Sequence, residues 1–329
     1  ASGQWYDCNN VRFRGGVPES LGGWESLKDP PESSTEYDLE GFGRKCYSSK
    51  SYTGYKYRWV GTNRKFYIST DSGGPVDVTP NSAVETLSGS TPLATVSGSS
   101  IVTVTASTVP GVGDYVTFKA ATATGGITVA TLNRASGFIV QTVTSGPAKF
   151  TIDVETDATS TATGGGSVVK ACFKIPSGSN SVVTGSGWGV GVWGPGSSDP
   201  ARGWGTPAAN VSVTVEGTRR VYIDNYGEDV MYANSGGPIY YYDLSANTST
   251  GAPVVDPETS VAEVIADDTA AFVGASGSPE VVDSFLVSKR DGHCVALGCN
   301  DLGGSTINSL LVRWSDQNNP FDWTPSPAN

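Results

Sequence analysis

Asp71-Ser-Gly-Gly-Pro75 copies the string that surrounds the nucleophile of trypsin-like serine proteases. That chemistry needs a histidine base, which in that fold precedes the serine. The only histidine here, His293, lies far downstream of Ser72 and lacks the Ala-Ala-His-Cys type of context. A Gly-Gly-Pro turn closing the strand KFYIST accounts for the string, so neither Ser72 nor His293 is expected to be catalytic. Half of an aspartic protease dyad fails as well, because no second Asp-Thr/Ser-Gly is present and two carboxylates must share the proton. His293 stands beside Cys294 and near Cys299, but zinc takes four ligands at characteristic spacings and the other cysteines, Cys8, Cys46 and Cys172, are remote in sequence. No metal and no cofactor is expected.

The glycine-rich stretch from Gly185 to Gly205 has neither a Walker-type Gly-Lys-Ser/Thr nor a dinucleotide fingerprint. What it offers is Trp188, Trp193 and Trp204, spaced by glycines. These three form a candidate subunit or adaptor interface, the other reading being a loop folded back on its own domain. Sugar stacking is a further possibility for Trp188 and Trp193 with Tyr240-Tyr-Tyr242. Strand alternation, however, sends Tyr240 and Tyr242 to one face and Tyr241 to the other, and a core needs at least one of them. The acid pairs Glu228/Asp229 and Asp267/Asp268 are adjacent in sequence, and sequence does not place either across a glycosidic bond. No catalytic residue is assigned, and the chain is expected not to be an enzyme.

The elements that carry these residues are short strands. The chain has 42 glycines and 19 prolines in 329 residues, which disfavours long helices. Its formal net charge of −11 disfavours binding nucleic acid by neutralising phosphates. With 37% hydrophobic residues it can bury a substantial core, and no apolar run is long enough for a membrane helix. Five cysteines are too few and too dispersed for a disulfide scaffold, and an odd number leaves at least one unpaired in the chain. The sequence opens at Ala1, and its single methionine is Met231, so a processed or missing start is expected.

Composition changes abruptly along the chain. Residues 81–169 hold no tryptophan and one tyrosine, Tyr115, in a background of Thr, Val, Ser, Ala and Gly. SIVTVTAS, DYVTFKAA, GFIVQTVT and AKFTIDVE within it read as strands separated by turns, the pattern of an inserted β-sandwich. The flanks, residues 1–80 and 170–329, contain all eight tryptophans and read as one discontinuous platform. There RRVYIDN, DVMYAN, PIYYYDL, SFLVSKR, HCVALGC and NSLLVRWS are strand candidates joined by N-Y-G-E, N-S-G-G and R-D-G turns. Antiparallel meanders of this kind suit propeller blades, although no fixed repeat is visible. The fold class expected is all-β, a β-propeller-like platform with an inserted β-sandwich. Only the stretch from Pro257 to Ala271 is a candidate for a helical turn or two.

Five strings taken in order resemble the tail nozzle or hub proteins of short-tailed bacteriophages, also described as packaged-DNA stabilisation proteins. They are QWYDCNNVRFRGGVPESLGGWESL (Gln4 to Leu27), YRWVGTNRKFYI with VDVTP (Val76 to Pro80), GWGVGVWG, YIDNYGEDVMYANSGGPIYYYDL (Tyr222 to Leu244) and LLVRWSDQNNPFDWTPSPAN. The resemblance implies a structural virion protein of the tail, assembled in the bacterial cytoplasm as a ring, a homohexamer, below the portal and adaptor. It implies contacts with the adaptor and with tail fibre or spike proteins. It also implies double-stranded DNA passing through the channel without specific binding, and relatives with further chain before Ala1 and after Asn329. An acidic wall suits such a channel, because it repels phosphates and lets the duplex slide. Two other readings remain: a receptor- or carbohydrate-binding phage tail module, and a secreted β-rich hydrolase.

Overall fold

The computed structural model describes residues 11–14, 17–20, 37, 39–70, 73–145, 148–175, 182–184, 211–213, 220–265 and 275–325. Its strands are all antiparallel within their sheets. Hairpin β1 (Val11–Arg14) and β2 (Val17–Ser20) comes first, followed by a meander of β3 (Gly43–Lys50), β4 (Lys56–Thr62), β5 (Phe66–Thr70) and β6 (Val76–Asp77). Eight strands then build one sheet: β7 (Asn81–Thr86), β8 (Leu93–Thr95), β9 (Ile101–Thr105), β10 (Tyr115–Lys119), β11 (Phe138–Ser145), β12 (Ala148–Asp153), β13 (Ala162–Gly164) and β14 (Lys170–Lys174). A second hairpin is β15 (Val182–Thr184) with β16 (Val211–Val213). The next meander has β17 (Val221–Tyr226), β18 (Asp229–Asn234), β19 (Ile239–Tyr242) and β22 (Glu263–Val264), interrupted by the ribbon β20 (Thr248–Ser249) and β21 (Ala252–Pro253). Last come β23 (Val282–Ser288), β24 (His293–Asn300) and β25 (Ile307–Trp314).

Tight turns make the meanders. Gly227 joins β17 to β18 and Gly292 precedes β24, with φ of 65° and 69°, a left-handed conformation that costs glycine nothing. Two single-turn helices, α1 (Val129–Leu132) and α2 (Leu244–Asn247), are capped by the side chains of Thr128 and Asp243. Neither was evident from the sequence. The stretch expected to turn helical, from Pro257, holds turns and β22 as far as Ile265, and its remainder lies outside the described residues.

Side-chain alternation sets the packing. On β4, Tyr57 and Trp59 are buried while Arg58 and Val60 are half-exposed. Tyr57, Trp59, Phe66 and Ile68 of the first meander meet Ile223, Val230, Tyr232, Tyr240 and Tyr242 of the second. Phe66 stacks on Tyr232 with centroids 4.1 Å apart, and Trp59 meets Tyr242 edge-on at 5.3 Å. The opposite face of the second meander, Met231, Ala233 and Tyr241, packs on Phe285, Val287, Cys294 and Ala296 of the third. Each such aromatic contributes about 1.5–3 kcal/mol by leaving water.

The described residues thus form several antiparallel sheets but no closed propeller. Three meanders stack in series, the second buried on both faces and the third covered on one. The region expected to be a sandwich also differs in detail. It is one continuous sheet in the order β13-β8-β9-β12-β11-β10-β14-β7, folded over a common core. The fold-over is made by β11: Phe138 and Ile139 pair with β10, and from Val140 onward the strand pairs with β12, with a register shift between Val140 and Thr142. A bulge bends its strand, and this one brings Phe150 of β12 to 5.8 Å from Phe173 of β14, across the fold. Lys170–Lys174, placed by composition beyond the insert, forms β14 inside this sheet.

Candidate functional site: a polar cleft and an uncovered sheet face

The expected interface tryptophans, Trp188, Trp193 and Trp204, lie outside the described residues, as do Ser72, Cys8 and the pair Asp267/Asp268. The other candidates have structural partners. His293 Nδ1 is 2.8 Å from the carbonyl oxygen of Ser315, and Cys294 beside it is fully buried. Burial pushes the Cys294 thiol far up, which makes it unreactive. Among the described residues no three His, Cys, Asp or Glu side chains group as a metal site. Cys46, Cys172, Cys294 and Cys299 are free thiols.

The acid pair Glu228/Asp229 does not span a cleft. Glu228 accepts the backbone N–H of Tyr52 at 3.0 Å. Asp229 accepts Tyr241 Oη–H at 2.5 Å and the Leu244 N–H at 2.8 Å, holding the start of α2 against β19. Burial raises its carboxyl above the ordinary range against those two bonds. Tyr240 and Tyr242 face one core and Tyr241 the other, at most 9% exposed, so the tyrosine run is packing and not a sugar platform.

Two surface features remain. Beside α2 lies a cleft of about 560 Å³ lined by Tyr241, Asp243, Asn247, Asp256, Glu263 and Phe321. Its carboxylates are already engaged. Asp243 Oδ1 accepts the Ala246 N–H at 2.8 Å as the α2 cap. Asp256 Oδ2 lies 2.6 Å from Lys119 Nζ, and although burial opposes it, that ammonium and the Glu258 N–H hold the carboxyl below its usual range. A cleft whose carboxylates are engaged suits a neutral polar ligand better than general acid–base work.

The second feature is the outer face of the third meander. Cross-strand rows place Leu286, Val295 and Trp314 side by side, and Leu297 beside Val312. Leu310 is 93% exposed, and Trp314, Val312 and Leu286 are about half exposed. No charged side chain stands in those rows: Arg313, the one charge on β25, belongs to the inner parity and donates to the carbonyls of Asn300 and Gly277. NSLLVRWS was legible in the sequence as a strand; its apolar outer row, and which of its faces stays uncovered, were not.

No protein-family model matches the chain, and no curated protein matches it in sequence. Among solved structures it is similar to the phage phi92 endosialidase, with 13% identity and a TM-score of 0.23 over 94% of this chain. The chain spans 40% of the length of that protein. A superposition that loose transfers neither fold nor activity.

Proposed function

We propose that this chain is a structural, non-enzymatic component of a bacteriophage tail, specifically a nozzle or hub subunit of a short-tailed phage that continues the DNA channel below portal and adaptor. The five ordered strings support the family. The observation that carries the structural role is the serial stack of meanders ending in an uncovered apolar sheet, the form of a subunit completed by a neighbour. Net charge of −11 agrees with a wall along which duplex DNA slides. Electron micrographs of the purified chain, together with peptide mapping of virions, test this. Rings or virion incorporation are expected, and a monomer absent from virions overturns it.

The cleft beside α2 favours a second reading, a carbohydrate- or receptor-binding tail module, because half-buried Phe321 lines it together with the hydrogen-bonding side chains of Asp243, Asn247 and Thr259. A glycan array separates the two. Retention on a defined glycan that is lost in Phe321→Ala supports the module, and no retention removes it.

A further inference from the structure

We infer that the pocket between the β3–β4 turn and the β20–β21 ribbon binds an acidic sugar, a pyranose ring that carries a carboxylate. The pocket is separate from the cleft beside α2 and takes a charged ligand, so this goes beyond both readings above.

The pocket has a volume of about 280 Å³ and is lined by Gly54, Tyr55, Lys56, Thr70, Thr250 and Gly251. Small-molecule sites begin at about 300 Å³, so there is room for one ring, free or at the end of a glycan. Its cations set the charge of the occupant. Lys50 and Lys56 are cross-strand partners where the hairpin closes, and like charges set directly opposite destabilise a sheet. A Cβ on Gly54 would lie 4.0 Å from Lys50 Cε, so both lysine stems border the pocket. In a chain of net charge −11, neither has an acid within salt-bridge distance among the described residues. Glu228, which reaches this turn, accepts the Tyr52 N–H instead. The repulsion between the two ammoniums is left for an anion to relieve.

The ring sets the shape of the occupant. Tyr55 is 47% exposed and rests on Gly251, where a Cβ would lie 2.4 Å from its Cδ1. Its turn is pinned: the Ser51 N–H donates to the Tyr55 carbonyl at 2.9 Å, and the Tyr55 N–H donates to Ser51 Oγ at 3.1 Å. A ring held in this way is a platform for the C–H face of a sugar, fixed before the ligand arrives. Beside it, Thr250 and Gly251 form the two-residue turn of the ribbon, with φ of 50° and 82°. Glycine suits that turn, whereas a β-branched threonine in a left-handed conformation is an outlier, and such strain gathers at ligand clamps. The Thr250 hydroxyl donates to the Ser249 carbonyl at 2.7 Å, which leaves its oxygen to accept from a sugar hydroxyl, as Thr70 can also do. A nucleic-acid strand needs cations and aromatic platforms repeated along its length, and here both cations meet one lining ring.

Saturation-transfer-difference NMR on the full chain with digalacturonate reads the binding. Transfer to the sugar protons is expected with digalacturonate and not with neutral galactobiose. Lys50→Gln and Lys56→Gln should each weaken binding about fivefold and Tyr55→Ala about tenfold, while Tyr55→Phe, which keeps the ring, changes it less than either. If Tyr55→Ala does not fold, the lysine variants and Tyr55→Phe decide. Absence of transfer from digalacturonate overturns the inference, as does equal binding of galactobiose, a galactose sulfate, oligothymidylate or inorganic phosphate, or binding that survives Tyr55→Ala in a folded chain. Glycan retention at the cleft beside α2 is scored with Phe321→Ala and this binding with Tyr55→Ala, so each can fail alone.

Discussion

Lys65 is 1% exposed, with its Nζ 3.1 Å from Asp77 Oδ2, 2.6 Å from the carbonyl of Ser136 and 4.6 Å from the centre of the Tyr115 ring. A buried ion pair adds little net stability, but removing one partner strands the other charge. Lys65→Ala or Asp77→Ala is therefore expected to cost about 3–5 kcal/mol in urea unfolding, and the double change Lys65→Met/Asp77→Leu less than either. Lys174, on β14, is nearly as deep, and donates to the carbonyl of Thr79 at 3.2 Å. Burial lowers its ammonium below the ordinary lysine range, with Asp77 opposing. The folded chain then holds fewer protons than the unfolded one between that lowered value and about 10.4, so this group's contribution rises with pH through that window and falls as pH drops. Lys174→Met should flatten the rise and add about 1 kcal/mol at neutral pH. Comparing both proteins' unfolding midpoints at several alkaline pH values checks the difference. An identical pH slope in the variant would refute the assignment.

At the scale of elements, the eight-stranded sheet is joined to the rest by a charged clamp. Lys119 Nζ lies 2.6 Å from Asp256 Oδ2 and 2.9 Å from Glu258 Oε2, while Lys170 reaches Glu258 Oε1. Lys170 and then Lys119 hold the Glu258 carboxyl below its usual range. A carboxylate lowered on folding stabilises above its ordinary pKa and loses that contribution as pH falls through the depressed value. The groups are partly exposed, so salt screening limits the effect to about 0.5–1 kcal/mol. Glu258→Gln should lower the melting temperature slightly in dilute salt, and the gap between variant and wild type should shrink in high salt. Chain geometry makes a second test available. Asn81 and Lys174 are partners in the ladder of β7 and β14, so the two ends of the insert are neighbours. Replacing Ser82 to Phe173 by a short Gly-Ser linker should leave a soluble, β-rich remainder, lacking the clamp and the Lys65 bond to Ser136. Aggregation of every such deletion would argue that the three meanders cannot stand without the sheet.

For the whole molecule, surplus negative charge and uncovered apolar surface lead to separate outcomes. With 32 acidic against 21 basic residues, the chain should not retain duplex DNA at low salt in a gel-shift assay, and a salt-sensitive shift would contradict a sliding wall. The Trp-Gly stretch adds an assembly test. Trp188→Ser with Trp193→Ser is expected to weaken ring formation or tail docking by about 2–4 kcal/mol while the β-type circular dichroism persists. A much lower melting temperature of the isolated double variant would assign those tryptophans to a core instead.

Strands β5, β9 to β12, β17 to β19 and β23 to β25, the turns at Gly227 and Gly292 and the opposite parity of Tyr241 against Tyr240 and Tyr242 were legible in the sequence. Each is a local property: a two-residue side-chain period, or a glycine where φ must be positive. Tertiary structure alone decided that both faces of the second meander are buried. It also made β11 bend one sheet over its own core and paired Lys65 with Asp77. It alone brought Phe321 beside Asp243 and Asp256 in the cleft next to α2, and left Leu310, Val312 and Trp314 outward. These follow from which strands pair and which faces stack, contacts between residues far apart in the chain. Alternation says only that a strand has two faces, and packing decides which of them water keeps.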